Sequence, residues 1–142
     1  MKGSIAQLLE DHRELGLMAD RLRGVISCAV PDTAAIAVLR WQICRKLIDH
    51  CSVEERSVYD LLITSGDPEA VQLILALRDE VGCLDNDVRT YVGEWPMERI
   101  NREWARFGAV TQALLDRLAH RMAREERDVF PELARIAQRR AA

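Results

Sequence analysis

Apolar residues recur at three- and four-residue spacings along most of the chain, a pattern typical of amphipathic helices that turn one face towards a core. The pattern predicts four long helices, over residues of about 4–29, 33–64, 68–92 and 97–138. Short stretches with proline, glycine or aspartate separate them, and the clearest is Ser65-Gly66-Asp67-Pro68. Because short loops make consecutive helices antiparallel neighbours, the sequence predicts an all-α, up-down-up-down antiparallel four-helix bundle. A chain of 142 residues is expected to form one domain over 1–142.

Four polar side chains interrupt the apolar stripes of these helices. His12 lies in the stripe of the first helix, His50 and Glu54 in that of the second, and Glu125 in that of the fourth. Burying an imidazole or a carboxylate is unfavourable unless the group is paired, hydrogen-bonded or bound to a metal ion. Imidazole nitrogens combined with carboxylate oxygens suit iron, manganese or zinc. The set therefore predicts a metal site inside the bundle, with a satisfied hydrogen-bond network or a small wet cavity as the alternative.

A near-repeat links the second and fourth helices. Both contain the pattern E-E-R-x-V-[YF]-x-x-L, beginning at Glu54 and at Glu125, and both carry a histidine shortly before it. His50 precedes Glu54 by four residues and shares its helix face, whereas His120 precedes Glu125 by five. On a straight helix His120 points outwards, and Arg121 takes the position that corresponds to His50. A π-bulge would bring His120 and Glu125 together, and without one His120 is a surface residue.

The third helix offers fewer candidate ligands. It contains no histidine, and Val81 stands where a weak match to the first helix places the counterpart of His12. Asp85 falls at the margin of the apolar stripe and is the one nearby residue with a suitable direction. Glu55 and Glu126 directly follow the two inward glutamates, and we expect them to be solvated, with a supporting role beside the site as the alternative.

Taken in order, these residues resemble a known family. Nearly the whole chain is similar to hemerythrin-like, or HHE cation-binding, domains through three segments: Asp11-His12-Arg13-Glu14-Leu15, His50-x-x-x-Glu54-Glu55-Arg56, and His120 with Glu125-Glu126-Arg127-x-x-Phe130-Pro131. The resemblance implies a four-helix bundle around a non-haem di-iron centre, with roles in oxygen binding, oxygen or nitric oxide sensing, or iron handling. It also implies that His12, His50 and Glu54 are metal ligands. His120 and Glu125 match the ligand spacing of the family's fourth helix.

Composition narrows the function classes further. Charged residues make up 30% of the chain, the net charge is −3 and no basic face stands out, which argues against nucleic acid or an anionic membrane as the partner. No apolar run reaches the ~20 residues of a membrane helix and no signal sequence is evident, so a cytoplasmic protein is expected.

The four cysteines form no C-x-x-C pair and are expected to be thiols. Without a phosphate-binding glycine loop, a nucleophile elbow or an H-E-x-x-H motif, the sequence favours binding over catalysis.

Together, the residues and the resemblance predict a divergent hemerythrin-like protein that binds a non-haem metal, with iron favoured, and that senses oxygen or nitric oxide or handles iron. The candidate metal ligands are His12, His50, Glu54, Asp85, His120 and Glu125. O2 or NO is the expected small ligand, and a homo-oligomer stays open. The alternative is a metal-free helical module that binds a signalling or other protein partner, suggested by Val81 and His120. A ferritin-like di-iron oxidase fits less well, because the chain contains no E-x-x-H pair.

Overall fold

The computed structural model describes residues 3–142 of the chain, and within that part it contains helices and no strand. Its first half comprises α1 (Ile5–Ile26), α2 (Thr33–Glu54), a first π-helical segment (Glu55–Tyr59) and α3 (Asp60–Ile63). Its second half comprises α4 (Pro68–Val81), α5 (Leu84–Glu94), α6 (Met97–Arg102), α7 (Trp104–Arg124), a second π-helical segment (Glu125–Val129) and α8 (Phe130–Ala141). None of the helices described is long and apolar enough to cross a membrane.

Side-chain caps fix where three of the helices begin. Ser4 accepts a hydrogen bond from the backbone N–H of Gln7 at the start of α1, and Asp32 accepts one from Ala35 at the start of α2. Asp67 caps α4, and Pro68 occupies its first position, where no intrahelical N–H bond is needed. These caps confirm the boundaries that the turn-forming residues predicted for the second and third helices.

The predicted third helix is divided in two, which corrects the continuous helix expected over 68–92. α4 ends at Val81 because Gly82 adopts a φ of 71°, a left-handed conformation that stops a helix. The Arg117 guanidinium donates a hydrogen bond of 2.9 Å to the Val81 carbonyl, which the break leaves without a helical partner. The sequence hid this break because Val81, Leu84 and Val88 continue the apolar spacing across it.

The last predicted helix, 97–138, is also interrupted. Its first turn and a half forms α6, and Glu103 separates that helix from α7. The second π-helical segment then divides α7 from α8, just as the first divides α2 from α3. Both π-helical segments begin within one residue of an inward glutamate, Glu54 or Glu125, so the two halves of the near-repeat share one backbone irregularity.

Two apolar clusters build the core, and the inward polar residues lie between them. α1 packs against α2 and α7, α2 packs against α5, and α4 packs against α7 and the second π-helical segment. Along α1, α2 and α7, each helix passes from one cluster through one or more buried polar residues into the other cluster. The flanking pairs are Leu8 and Leu15 around His12, Leu47 and Val58 around His50 and Glu54, and Leu118 and Val129 around Arg121 and Glu125. The polar residues are therefore sealed from both ends of the bundle.

Replacing Gly82 with alanine tests the helix break. We expect Gly82→Ala to lower the free energy of unfolding by about 1–2 kcal/mol, because an L side chain is strained at this positive φ. Gly16→Ala is the matched control: Gly16 lies inside α1 with open space around it, and alanine should raise the free energy of unfolding by about 1 kcal/mol. Urea denaturation measures both, and a shift of the two variants in the same direction would contradict this account.

Candidate metal centre

Four side chains converge on one point in the middle of the molecule, and they come from three different stretches of helix. Their nitrogen and oxygen ligand atoms lie within 4.8 Å of one another. His12 comes from α1, His50 and Glu54 from α2, and Glu125 from the start of the second π-helical segment. The exposed fraction is 0% for both glutamates and at most 4% for the histidines. Two imidazoles and two carboxylates form the group that the sequence predicted as the centre of the site.

One atom of each of these residues is buried without a hydrogen-bond partner among residues 3–142. The four atoms are His12 Nε2, His50 Nε2, Glu54 Oε2 and Glu125 Oε1. His12 Nε2 lies 3.2 Å from Glu125 Oε1 and 3.6 Å from Glu54 Oε2. Ligand atoms at about 2.1 Å from a tetrahedral metal ion are about 3.4 Å apart, so these separations suit a shared cation. The donor set therefore fits a metal ion.

The other ring nitrogen of each histidine contacts a carboxylate outside the cluster. His50 Nδ1 lies 3.0 Å from Asp11 Oδ2, and His12 Nδ1 lies 2.9 Å from Glu126 Oε2. Lys46 in turn donates to the other oxygen of Asp11 at 3.0 Å. A carboxylate that accepts from Nδ1 fixes the tautomer and leaves Nε2 free to face a metal ion. Asp11 and Glu126 therefore orient the two histidines.

Glu126 differs from the expectation of a solvated residue. Its side chain is 46% exposed, yet it also reaches His12 from the surface. The sequence signal for this role was its place directly after Glu125 in the near-repeat. Asp11 was missed as a supporting residue, although it directly precedes His12 in the sequence. It lies beside the apolar stripe of α1 rather than within it.

A buried arginine closes the opposite side of the cluster. The Arg121 guanidinium lies 3.3 Å from Glu54 Oε1 through one terminal nitrogen and 3.2 Å from Glu125 Oε2 through Nε. Its side chain is only 8% exposed. Sequence comparison of the two repeats identified this position as the counterpart of His50 but did not predict its contacts. Arg121 thus contacts one oxygen of each carboxylate, and His12 Nε2 lies near the other oxygen of each.

Two aromatic residues, one at or directly after the end of each π-helical segment, cover the cluster. Tyr59 is buried and donates its hydroxyl to Glu125 Oε2, while Arg121 lies over its ring, 5.4 Å from the centroid. Phe130 stacks on the His12 ring with centroids 5.3 Å apart. The first π-helical segment begins one residue after Glu54 and ends at Tyr59, and the second begins at Glu125 and ends one residue before Phe130. The two halves of the repeat thereby supply the same pair of elements, a ligand and a cover.

The electrostatics of the cluster reflect two buried carboxylates. Burial alone would lower the pKa of His12, but the close carboxylates of Glu125, Glu54 and Glu126 outweigh it and raise that pKa to about 10. Burial also opposes ionisation of Glu54, yet its contacts with His12 and His50 hold its pKa below the ordinary value. Burial and the neighbouring Glu54 charge keep the pKa of Glu125 above its ordinary value. A proton on His12 therefore supplies positive charge that a metal ion would replace.

The structure does not bring His120 to the cluster. Its side chain is 55% exposed and contacts Glu80 of α4, which also pairs with Arg124 at 3.1 Å. The second π-helical segment begins at Glu125, after His120, so it does not rotate His120 inwards. The straight-helix expectation of an outward histidine describes this position, and Arg121 points inwards in its place.

Asp85 also lies apart from the cluster. It stands in the first turn of α5, partly exposed, where it lines a surface cleft together with Cys83 and Arg89. The break at Gly82 separates α5 from α4, so the helical arithmetic that aligned Asp85 with Val81 does not hold across it. The third predicted helix thus contributes no residue to the group of four.

Comparison with known proteins yields one match. Residues 3–133 match the sequence model of the family described as the hemerythrin HHE cation binding domain, which covers nearly the whole chain. No curated protein and no solved structure matches the chain. The family description agrees with a buried group of histidine and glutamate side chains that could bind a metal ion.

Removing the Tyr59 hydroxyl tests whether it supports a charged group. We expect Tyr59→Phe to cost about 1.5–3 kcal/mol of unfolding free energy in metal-free protein, because the hydroxyl donates to the Glu125 carboxylate. Tyr91→Phe is the control: its buried hydroxyl bonds the neutral Thr111 hydroxyl at 2.7 Å, and its loss should cost about 0.5–1.5 kcal/mol. Denaturation in the presence of a chelator measures both variants. An equal or larger loss for Tyr91→Phe would argue against an ionised Glu125.

Proposed function

The chain belongs to the hemerythrin HHE cation-binding domain family, and from this membership we propose that it binds non-haem iron in its buried cluster. The proposed ligand atoms are His12 Nε2, His50 Nε2, Glu54 Oε2 and Glu125 Oε1. The observation that carries the proposal is that these four buried atoms lack hydrogen-bond partners and lie side by side. Leaving that many buried polar atoms unsatisfied is costly, and a shared cation would satisfy all of them.

The ligand types favour iron among the candidate metals. A thiolate-rich site would suit zinc or copper(I), and an all-oxygen site would suit magnesium or calcium, whereas mixed imidazole and carboxylate ligands suit iron. Cys51 is the buried cysteine of the chain and is not part of the group of four. Burial raises the pKa of its thiol to about 12, so it would be a poor thiolate ligand.

We further propose a role in sensing oxygen or nitric oxide, or in handling iron. A bound iron ion would supply redox chemistry and, with four protein ligands, open positions for a diatomic molecule. The chain's own residues would keep this site dry and rigid. Asp11 and Glu126 orient the histidines, Tyr59 holds Glu125, and Phe130 covers His12.

We also propose how the helices are arranged. The antiparallel up-down-up-down four-helix bundle expected from the sequence would consist of α1, the rod from α2 to α3, the broken rod from α4 to α5, and the rod from α7 to α8. The short connections between these rods and the contacts of α1 with α2 and α7 support it. Such a bundle would form a single domain over 1–142, with the cluster at its centre.

A metal-free binding module is the second candidate function. The observation in its favour is Arg121, which already pairs with both buried carboxylates without a metal ion. Under this reading the cluster would be a structural ion-pair network. Removing a buried polar group from such a network and replacing it by an apolar one is often neutral or stabilising.

A comparison of two histidines separates these functions. His50→Ala should reduce the iron content of protein purified from iron-supplemented medium to background, because His50 contributes one of the four inward atoms. His120→Ala is the matched control and should retain its iron, since that side chain is exposed and contacts Glu80. Elemental analysis after desalting gives both values. Metal-free wild-type protein that also fails to bind iron(II) anaerobically would support the metal-free module instead.

Substitution of Asp11 tests the residue behind His50. Asp11→Asn should weaken iron(II) affinity by about 10–100-fold, the usual effect of losing a carboxylate that orients a histidine ligand. Asp20→Asn removes the same charge from an exposed position on α1, where Asp20 pairs with Arg23, and should leave the affinity unchanged. Anaerobic iron(II) titrations measure both variants. Equal affinities for the two would exclude an orienting role for Asp11.

A further inference from the structure

We infer that the Arg121 guanidinium occupies a second cation position between Glu54 and Glu125, so that the cluster holds one metal ion and a fixed organic cation rather than two metal ions. This inference rests on the proposed function, because it concerns the number of ions that the same carboxylates can hold. It assigns to Arg121 the role of setting metal stoichiometry.

The two carboxylates divide their oxygens between two positions. Glu54 Oε2 and Glu125 Oε1 have no hydrogen-bond partner among residues 3–142, and His12 Nε2 lies 3.6 and 3.2 Å from them, while His50 Nε2 lies 3.1 Å from Glu54 Oε1. Glu54 Oε1 and Glu125 Oε2 are the oxygens that the Arg121 nitrogens contact, at 3.3 and 3.2 Å. A pair of carboxylates that share their oxygens in this way bridges two neighbouring cations. Arg121 supplies one of these cations, and the four unpartnered atoms surround the other.

Arg121 is held in place on all sides. Its side chain is 8% exposed, its guanidinium lies over the Tyr59 ring, and its position on α7 is one turn before Glu125. A buried guanidinium stays charged, and it is stable there only while its carboxylate partners remain ionised and close. A metal ion entering this position would have to displace a buried charge that is paired with both carboxylates.

Arg121 lines a surface cleft that also contains Glu55 and Asp85, but among residues 3–142 neither carboxylate belongs to the group of side chains close enough together to hold an ion. A small cavity beside the guanidinium is lined by Tyr59, Leu77, Arg78, Val81 and Gly82, without a histidine or a carboxylate. The Tyr59 hydroxyl already donates to Glu125. Val81, which lines this cavity and is the last residue of α4, has no ligand atom in its side chain. The second position is therefore built for a guanidinium.

Charge balance points the same way. Two buried carboxylates and Arg121 leave one negative charge in the cluster, so a single divalent ion with two neutral histidines brings the net charge only to +1, whereas a second divalent ion would bring it to +3. A second divalent ion beside the guanidinium would place a large uncompensated positive charge in a volume that is nearly inaccessible to water. Both the positive charge and the space that the guanidinium occupies therefore exclude a second metal ion.

The test counts iron ions in wild-type protein and two variants. Each is reconstituted anaerobically with excess iron(II), desalted and measured by elemental analysis, and is then oxidised for EPR spectroscopy. We expect one iron per chain for the wild type and for Arg121→Lys, which keeps the cation. We expect Arg121→His to bind a second iron, because it places an imidazole four residues before Glu125, as His50 stands before Glu54.

The spectra distinguish the two kinds of site independently of any activity. An isolated high-spin ferric ion gives an EPR signal, whereas a coupled ferric pair does not, so the signal should be present in the wild type and lost in Arg121→His. Two irons per chain in the wild type, or a folded Arg121→His protein that still binds one, would overturn the inference and leave iron binding intact. No iron in the wild type would overturn the proposed function itself. If Arg121→His does not fold, the iron content of the wild type and of Arg121→Lys still distinguishes one iron per chain from two.

Discussion

Two carboxylates, those of Glu54 and Glu125, lie fully buried and face each other in the middle of the bundle, and the rest of the structure serves to compensate their charge. Taking two such charges out of water is unfavourable by several kcal/mol for each ion unless cations and hydrogen-bond donors surround them. Arg121 contacts one oxygen of each carboxylate, His12 Nε2 lies near the other oxygen of each, His50 Nε2 lies near Glu54, and Tyr59 donates to Glu125. Four ligand atoms have no hydrogen-bond partner among residues 3–142, and these unsatisfied atoms are the strongest argument for a metal ion.

The organisation extends outwards from that pair in layers. Asp11 and Glu126 hold the outer nitrogens of His50 and His12, so each imidazole presents its inner nitrogen to the centre. Apolar clusters close both ends, and each half of the near-repeat contains an inward glutamate, a π-helical segment and an aromatic residue that covers the cluster. Both halves of the near-repeat therefore contain a π-helical segment, but their side chains differ. The first half contributes a histidine with its glutamate, and the second contributes an arginine with its glutamate.

Periodicity predicted the inward group because each member replaces an apolar residue in a helical stripe with a group that burial penalises. The same reasoning placed Asp85 on a continuous third helix, and it failed there because a single residue, Gly82, adopts a positive φ within an unbroken apolar spacing. For His120, straight-helix geometry was a better guide than the family's ligand spacing, since the π-helical segment lies beyond it. Asp11, Glu126 and the contacts of Arg121 depend on how neighbouring helices pack, which spacing along one helix does not contain.

The most direct test of the account is the position of the metal ion in crystals grown with iron under anaerobic conditions. Diffraction data collected above and below the iron absorption edge give an anomalous difference map that locates each bound ion. We expect one peak per chain, within about 2.2 Å of His12 Nε2, His50 Nε2, Glu54 Oε2 and Glu125 Oε1. The Arg121 guanidinium should still lie between the carboxylates. A second peak in the place of the guanidinium, a peak beside His120, or a map without a peak at the cluster would contradict it.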